Sequence, residues 1–263
     1  MGVSGEQAMK IQYASDLHLE FSDNTAWLRE HPLKVAGEVL VLAGDIGVLG
    51  HASYTAHPFW DWVSGQYRQV IVLPGNHEFY LNYDLDTMMD GWQLEIRKNV
   101  YCRYNAVVPL ADGIDLIVTT LWAKIGDPHA KMTERCVADF HRIMHGSKRL
   151  DVDRFNAEHE RCFRFLRDAV AASRARHIVV ATHHVPSYLL TAQTFVGSLI
   201  NGAFTVELGG FIESSPIECW IYGHSHRNID SVIGTTRCLS NQLGYVAHGE
   251  HRTFDAGKVI EIG

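Results

Sequence analysis

The chain has 263 residues, which suits one large domain or two small ones, and its hydrophobic fraction of 46% is that of ordinary soluble globular proteins. Its apolar runs are shorter than the roughly 18 residues that a membrane helix needs, and the N-terminal MGVSGEQAMK lacks the apolar core of a signal peptide. The formal net charge of −7, without a basic block, disfavours stable binding to nucleic acid. We therefore expect a cytoplasmic protein without a membrane or nucleic-acid partner.

The cysteines are odd in number, widely spaced and form no CxxC pair, which argues against a disulfide framework and against a zinc–thiolate site. A reducing compartment is expected, and we interpret the thiols as buried apolar groups. The five are Cys102, Cys136, Cys162, Cys219 and Cys238.

Six short apolar runs, each closed by a turn or a small polar residue, have the length and the Val/Ile content of buried strands. The runs cover residues 10–15, 38–44, 69–75, 114–120, 177–182 and 218–223. Between them, the apolar spacing predicts helices over 85–98 and 152–172. Strands that alternate with helices favour an α/β layered domain with a buried, largely parallel or mixed sheet.

The predicted organisation is one domain over residues 10–263, preceded by a disordered extension over residues 1–9. Residues 125–150 are charged and mostly helical in pattern, so we interpret them as a helical insertion. From Asn228 onward, short runs with glycine turns predict antiparallel strands in SVIGTTRCLS, GYVAHGE and TFDAGKVIEI.

Carboxylate, amide and imidazole side chains follow five of the six predicted strands. They are Asp16, His18, Asp45, Asn76, His77, Glu78, His183, His184, His224 and His226. Ligands of open α/β sheets collect at the carboxyl ends of strands, so these side chains converge if the strand ends are neighbours. In extended chain, residues i and i+2 point to the same side, which would aim Asp16 with His18 and His224 with His226.

Seven of these side chains form a donor set of oxygens and nitrogens that is typical of a metal site. The set is too large for one zinc-like ion and suits two ions that share a carboxylate, for which Asp45 is well placed. Two metals about 3.5–4 Å apart are a known device for in-line displacement at phosphorus. Two ligand carboxylates and two divalent ions would leave a positive site that attracts a phosphate ester.

The blocks DLH (16–18), GD (44–45), GNHE (75–78), HH (183–184) and GHSH (223–226) resemble the motifs of the calcineurin-like metallophosphoesterases in identity, order and approximate spacing. Each block alone is a weak signal, but the combination is highly specific and extends over nearly the whole chain. The resemblance implies a four-layer α/β/β/α sandwich with a two-metal site at the strand ends. The segment 121–144 is similar to an insertion in some bacterial members.

The resemblance also implies a role for each residue. The ligands of one metal would be Asp16, His18, Asp45 and His226, and those of the other would be Asp45, Asn76, His183 and His224. His77 would not be a ligand but would protonate the leaving oxygen or stabilise the transition state. A metal-bridging hydroxide would be the nucleophile, and the cofactors would be two divalent or trivalent ions, with Mn, Fe or Zn expected.

One segment departs from part of the family. The protein Ser/Thr phosphatases continue the GD block as GDxVDRG, whereas this chain has GDIGVLG (44–50), without the acid and without the arginine that helps to hold phosphate. The segment is closer to bacterial-type phosphohydrolases and phosphodiesterases. We therefore expect a small-molecule phosphodiester or phosphomonoester as the substrate. The sequence leaves the oligomeric state open.

Two alternatives remain at this point. A nuclease of the same superfamily is disfavoured by the weak basic character, and a non-catalytic scaffold is disfavoured because every ligand position is filled.

Several residues have two interpretations. His183 is favoured over His184 as the ligand because it follows its strand directly. His184 is then either a residue behind the ligands or a substrate contact, and Arg142 and Arg227 are either phosphate contacts or solvated side chains. Glu78 is expected in a turn or behind the ligands. Asp139 lies either at the mouth of the site or on a helix surface.

Overall fold

The computed structural model describes residues 8–81 and 83–263. Within these ranges the strands are β1 (Met9–Ala14), β2 (Val39–Ala43), β3 (Gln69–Leu73), β4 (Gln93–Arg97), β5 (Val100–Arg103), β6 (Ala106–Ala111), β7 (Ile114–Thr119), β8 (Met144–His145), β9 (Lys148–Arg149), β10 (His177–Thr182), β11 (Ile217–Tyr222), β12 (Ser231–Ile233), β13 (Thr236–Ser240) and β14 (Val259–Ile262). The α-helices are α1 (Ser22–Glu30), α2 (Ser53–Ala56), α3 (Pro58–Gln66), α4 (Ala130–Cys136), α5 (Asp139–Arg142), α6 (Val152–Ala172) and α7 (Gly209–Ser214).

Two six-stranded sheets form the centre of the fold. The first has the order β14-β1-β2-β3-β5-β4, and the second has the order β12-β13-β11-β10-β7-β6. In each sheet, neighbouring parallel strands form the middle and one antiparallel strand closes each edge. The predicted α/β class with largely parallel pairing is confirmed.

The strand residues alternate between two cores, as the two-residue period of a strand requires. In β2, Val39 packs between the two sheets, whereas Leu40 packs beneath α1 and α3. In β10, Val179 packs between the sheets and Val180 packs against α6. The layers therefore follow the order helix, sheet, sheet, helix, and the predicted four-layer sandwich is confirmed.

Helix α6 has the bounds that the apolar spacing predicts. Its first turn is capped by Asp151, whose Oδ1 accepts the N–H of Arg154 at 2.9 Å. Its buried face, with Phe155, Cys162 and Leu166, packs on the second sheet. Within the described ranges, no helix is both long enough and apolar enough to cross a bilayer.

The prediction of a helix over 85–98 is wrong. A 3-10 turn at Leu85–Thr87 is followed by Gly91, whose φ of 81° is in the left-handed region, and then by β4. The apolar residues that fit a helical spacing instead belong to an edge strand, which pairs antiparallel with β5. Strand pairing in the folded chain outweighs the local pattern here.

The C-terminal prediction holds in part. Strands β12 and β13 form an antiparallel pair, and β14 pairs antiparallel with β1. The stretch GYVAHGE is not a strand, because it enters 3-10 turns at Val246–His248 and Glu250–Thr253.

Two predicted segments differ in detail from the structure. The segment 125–150 is only partly helical, since it contains the hairpin of β8 and β9 besides α4 and α5. Cys136, at the end of α4, is exposed, unlike the other cysteines. Residues 1–7 of the expected extension lie outside the described residues, and Met9 already belongs to β1.

Asp151→Ala is expected to lower the free energy of unfolding by about 1 kcal/mol, because α6 loses its N-cap acceptor. Asp151→Asn should stay close to wild type, because the asparagine oxygen is also a good cap acceptor. Urea unfolding of the three proteins measures the difference. An equal loss of unfolding free energy in both variants would show that the ion pair of Asp151 with Arg154, rather than the N-cap, provides the stability.

Candidate metal centre

The carboxyl ends of five parallel strands meet at one place, between the two sheets. Strands β1, β2 and β3 come from the first sheet, and β10 and β11 come from the second. The backbone N–H of His224 donates to Asp16 across this junction at 3.1 Å, and His183 Nδ1 lies 2.9 Å from the carbonyl oxygen of Ala43. These contacts bring all seven predicted ligands into one buried cluster.

The first donor group surrounds His18. Its Nε2 lies 3.0 Å from His226 Nε2 and 3.8 Å from Asp45 Oδ2. His226 Nε2 lies in turn 3.3 Å from Asp16 Oδ1. The ligand atoms of Asp16, His18 and His226 are within 4.8 Å of one another.

The second donor group surrounds His183. Its Nε2 lies 3.4 Å from Asp45 Oδ1, 3.1 Å from Asn76 Oδ1 and 3.1 Å from His224 Nδ1. Asp45 therefore faces the first group with one carboxylate oxygen and the second group with the other. A shared carboxylate of this kind is what two neighbouring cations require.

The orientation of the imidazoles fits metal ions. Glu20 lies 3.1 Å from His18 Nδ1, Glu250 lies 2.6 Å from His226 Nδ1, and Ala43 holds the Nδ1 of His183. Acceptors at Nδ1 fix the tautomer in which Nε2 presents a lone pair, as for histidines that bind metal. Two such lone pairs that face each other at 3.0 Å need a proton or a cation between them.

The carboxylates and imidazoles of the centre shift one another's pKa. Burial works against the charged forms, yet nearby imidazoles hold the pKa of Asp16 and Asp45 below its usual value. Burial likewise disfavours the imidazolium ions, but Asp45 raises the pKa of His183 to about 9, and Asp16 with Glu250 raises that of His226 to about 10. Metal binding must displace these protons.

Five of the seven predicted ligands have a left-handed backbone. Their φ angles are 56° for Asp16, 48° for His18, 55° for Asp45, 74° for His224 and 51° for His226. Such conformations cost about 1–3 kcal/mol each in non-glycine residues and cluster at functional sites. Strand alternation was therefore the wrong reason for the convergence, because tight turns aim these side chains.

Glu78 joins the loops that follow β2 and β3. Its carboxylate accepts the backbone N–H groups of Asp45 at 2.9 Å, Ile46 at 2.8 Å, Gly47 at 3.2 Å and Gly75 at 2.6 Å. Burial, and then the charge of Asp45, raises its pKa to about 8. Both oxygens of Glu78 are therefore occupied by backbone N–H groups, and the side chain lies behind the donor groups.

His77 lies beside the centre with both ring nitrogens occupied. Its Nδ1 is 2.8 Å from Glu20 Oε1, and its Nε2 is 3.3 Å from the hydroxyl of Tyr245. His77 is also near enough to His18 and Asp45 to be grouped with them as a possible ligand. Burial lowers the pKa of His77, but Asp45 and Glu20 outweigh it and raise the pKa overall.

Asp139 reaches the centre from the insertion. Its Oδ1 accepts the Nδ2 amide of Asn76 at 2.8 Å and the hydroxyl of Tyr80 at 2.7 Å, and only 1% of the residue is exposed. This bond fixes the Asn76 amide with its oxygen toward His183. The helix-surface interpretation of Asp139 is therefore wrong.

The sequence analysis missed three further residues at the site, namely Glu20, Tyr245 and Glu250. Glu20 stands two positions after His18, which is a local signal that it could be an outer partner of that imidazole. Tyr245 and Glu250 belong to the stretch predicted as a strand, so their approach to the site depends on turns that the pattern does not reveal.

The three candidates for substrate contact are placed differently. His184 is fully buried behind the ligands, with its ring 4.2 Å from that of His224 and 5.3 Å from that of Trp122. Arg142 is exposed and lies over the ring of Tyr80, 5.2 Å from its centroid. Arg227 lies over Phe195 and donates to the carbonyl oxygen of His226 at 2.9 Å. The two arginines therefore stay predictions, whereas His184 is not positioned to touch a substrate.

A four-layer sandwich with paired donor groups at its strand ends defines a metallophosphoesterase-type protein. The family model for the calcineurin-like phosphoesterase matches residues 9–228, and the chain belongs to this family. Membership implies hydrolysis of phosphate esters and the use of metal ions.

One sequence relative and two solved structures are similar to this chain over nearly their whole length. Protein L509 of Acanthamoeba polyphaga mimivirus is 26% identical, with 96% of each chain covered. The crystal structure of phosphopantetheinyl hydrolase (PptH) from Mycobacterium tuberculosis has a TM-score of 0.66 at 16% identity and covers 96% of this chain and 95% of that one. The protein TT1561 of Thermus thermophilus has a TM-score of 0.53 at 10% identity, with 97% and 98% covered. At these identities, the two structures show the fold alone.

Gly75→Ala is expected to disrupt the centre, because a Cβ there would lie 2.2 Å from Asp45 Oδ1 and 2.7 Å from His183 Nε2. Metal affinity should fall about 10- to 100-fold, as for other losses of ligand support. Titration of the metal-free protein with Mn²⁺ measures the change.

Gly65→Ala in α3 is the matched control. A Cβ at Gly65 meets nothing within 4 Å, and alanine should stabilise the helix by about 0.5–1 kcal/mol without a change in metal binding. Wild-type affinity in Gly75→Ala would contradict the close packing at Asp45.

Proposed function

We propose that the protein is a dinuclear metal-dependent phosphoesterase that hydrolyses a small-molecule phosphodiester or phosphomonoester. The observation that carries the proposal is the position of Asp45, whose Oδ1 lies 3.4 Å from His183 Nε2 and whose Oδ2 lies 3.8 Å from His18 Nε2. A carboxylate so placed can hold one cation with each oxygen. The cytoplasmic location expected from the sequence belongs to the same proposal.

The two donor groups would each hold one ion. Asp16, His18 and His226 would hold one ion together with the shared Asp45, and Asn76, His183 and His224 complete the other set. Mixed nitrogen and oxygen donors accept Mn, Fe or Zn. Two such ions, when bound, would lower the pKa of water and offset the charge of the phosphate. The bridging hydroxide implied by the family resemblance stays a prediction.

His77 is the proposed proton donor. During hydrolysis, the oxygen of water bonds to phosphorus, the bond from phosphorus to the leaving oxygen breaks, and His77 gives a proton to that oxygen. The carboxylates of Glu20 and Asp45 favour the protonated imidazole by raising its pKa. Tyr245 holds the Nε2 edge of the ring at 3.3 Å.

Glu20 is the proposed positioning residue for this step. One of its oxygens, Oε1, lies 2.8 Å from His77 Nδ1 and 3.1 Å from His18 Nδ1. A single carboxylate therefore orients a metal ligand and the proton donor together. This chain lacks the acid of the GDxVDRG motif, and Glu20 provides a carboxylate close to the proton donor.

His77→Ala is expected to lower kcat on bis(p-nitrophenyl) phosphate about 10²- to 10⁴-fold while metal content is kept, because proton donation is lost. Asp45→Asn should lose both metal and activity. Both are assayed after removal of metal and reloading with Mn²⁺, with p-nitrophenyl phosphate as the monoester. His31→Ala, at an exposed imidazole that follows the last residue of α1, is the matched control.

The outcomes separate the alternatives. Cleavage of the diester that depends on metal and is lost in both variants supports the proposal, whereas faster cleavage of single-stranded DNA would favour a nuclease. Two bound metals with no hydrolysis of either ester would favour a scaffold and contradict the proposal.

Glu20→Gln should shift the alkaline limb of the pH profile of kcat to lower pH. The carboxylate of Glu20 raises the pKa of His77, so its removal lets His77 lose its proton at lower pH, and a proton donor is active only below its pKa. Asp23→Asn, at an exposed carboxylate in the first turn of α1, should leave the profile unchanged. An unshifted limb in Glu20→Gln would show that another group controls it.

A further inference from the structure

We propose that the substrate is an asymmetric phosphodiester whose retained group is largely apolar and whose leaving alcohol carries an oxyanion bound at Arg142 and Arg149. This inference rests on the proposed function, because it assumes that phosphorus is attacked at the metal centre. Its basis is the arrangement of two cavities of different chemistry on either side of His77.

The two cavities meet at the proposed proton donor. One, of about 500 Å³, opens over the donor groups and is lined by Asp45, Asn76 and His224. The other, of about 440 Å³, extends away from the centre along Glu20. His77 and Tyr80 are the residues that line both. A phosphate above the donor groups therefore has one ester arm in the first cavity, and its leaving oxygen passes His77 into the second.

The first cavity suits an apolar arm. Its apolar lining includes Val137, Ala138, Phe195, Ile200 and Phe204, and the ring of Phe204 stacks on that of His224 with centroids 4.9 Å apart. Among the described residues that line it, none is Lys or Arg, and its carboxylates are already bonded to imidazoles or amides of the centre. Arg227 lies over Phe195 but is not among the lining residues, so the lining itself favours an alkyl or aryl group, which would lose unfavourable contact with water.

The second cavity suits an anionic arm. Arg142 and Arg149 stand on its rim with the imidazoles of His51 and His141. Among its described lining residues, Glu20 is the carboxylate, and it is bonded to His18 and His77. Much of the remaining lining, such as Leu19, Ile46 and Trp60, is apolar, so the two guanidinium groups against one carboxylate are what favours an anionic arm.

The guanidinium of Arg142 is exposed at the second cavity. Its guanidinium lies over Tyr80, 5.2 Å from the ring centroid, and Tyr80 is in turn fixed by its bond to Asp139 at 2.7 Å. Stacking on an aromatic face orients an arginine and leaves its N–H groups available at the ring edge. A planar oxyanion such as a carboxylate, or a phosphate, is the ligand that such a guanidinium binds best.

In the proposed reaction, water adds to phosphorus and the alcohol with the oxyanion departs. The products are the phosphate monoester of the apolar group and the free alcohol, whose oxygen takes the proton from His77. One proton of the attacking water restores the protonated imidazole of His77, and the other stays on the phosphate monoester or passes to solvent. No oxidant or further reactant is needed, so the balance is that of a simple hydrolysis.

The test uses the Mn²⁺-loaded full chain and four diesters. Three hexyl esters have 4-nitrophenol, 3-carboxy-4-nitrophenol or 3-phosphono-4-nitrophenol as the leaving group, and the fourth is methyl 4-nitrophenyl phosphate. Each kcat/KM is divided by the uncatalysed rate of the same ester. We expect the normalised kcat/KM to be about ten-fold higher for the anionic leaving groups than for 4-nitrophenol. Comparison of the carboxylate ester with the phosphonate ester shows which oxyanion is preferred. We expect hexyl to be favoured over methyl about ten-fold or more.

Two variants, each with a matched control, test which residues cause the two substrate preferences. Arg142→Gln should bring the ratio of anionic to plain leaving group toward one, whereas Arg164→Gln, at an exposed arginine of α6, should keep it. Phe195→Ala should reduce the ratio of hexyl to methyl, whereas Leu189→Ala, at a residue that is 71% exposed and lines neither cavity, should not.

The results distinguish this inference from the function beneath it. Hydrolysis of all four diesters with ratios near one, or with the plain leaving group favoured, overturns the inference and leaves the phosphoesterase intact. Hydrolysis of none of them by protein with two metals bound overturns both. A preference for the anionic leaving group that survives Arg142→Gln and Arg149→Gln places the oxyanion elsewhere and overturns the assigned site.

Discussion

The four hydrogen bonds accepted by the Glu78 carboxylate are the constraint on which the candidate metal centre depends. They tie the turn after β2 to the turn after β3, and thereby set the distance from Asp45 to Asn76 and His77. A buried carboxylate is costly unless its oxygens are satisfied, and here backbone N–H groups of two loops satisfy them. Loss of this residue would free both loops together, although no ligand would be removed.

The centre concentrates local strain that the two sheets must support. Five residues with left-handed backbone, among them the buried carboxylates Asp16 and Asp45, would not persist in an isolated loop. They persist because each follows a strand locked between neighbours on both sides, within a core of apolar side chains that closes from both faces. The rigid layers of the sandwich thus allow a reactive arrangement that the local sequence would not adopt on its own.

The sequence was sufficient where a signal was local and repeated. Apolar runs identify the central strands, apolar spacing identifies α6, and the polar residues after the strands predict the seven side chains that the fold brings together. The sequence was insufficient where contacts between distant parts of the chain determine the local structure. The edge strand β4 has a spacing that also fits a helix, Asp139 acquires its role only through contact with Asn76, and Glu250 reaches His226 through turns that carry no periodic pattern. The left-handed turns at the ligands are likewise invisible to a pattern of apolar and polar residues.

The bond from Asp139 to Asn76 has a consequence for how this chain can change over time. The insertion that carries Asp139 also provides Val137, Ala138 and Arg142 to the two cavities. Exchange of this segment to accept a new ester would thus also alter the support of Asn76, a proposed metal ligand. A change in this segment would therefore affect substrate selectivity and metal binding at the same time. We expect the segment to diverge by single substitutions that keep a hydrogen-bond acceptor at position 139.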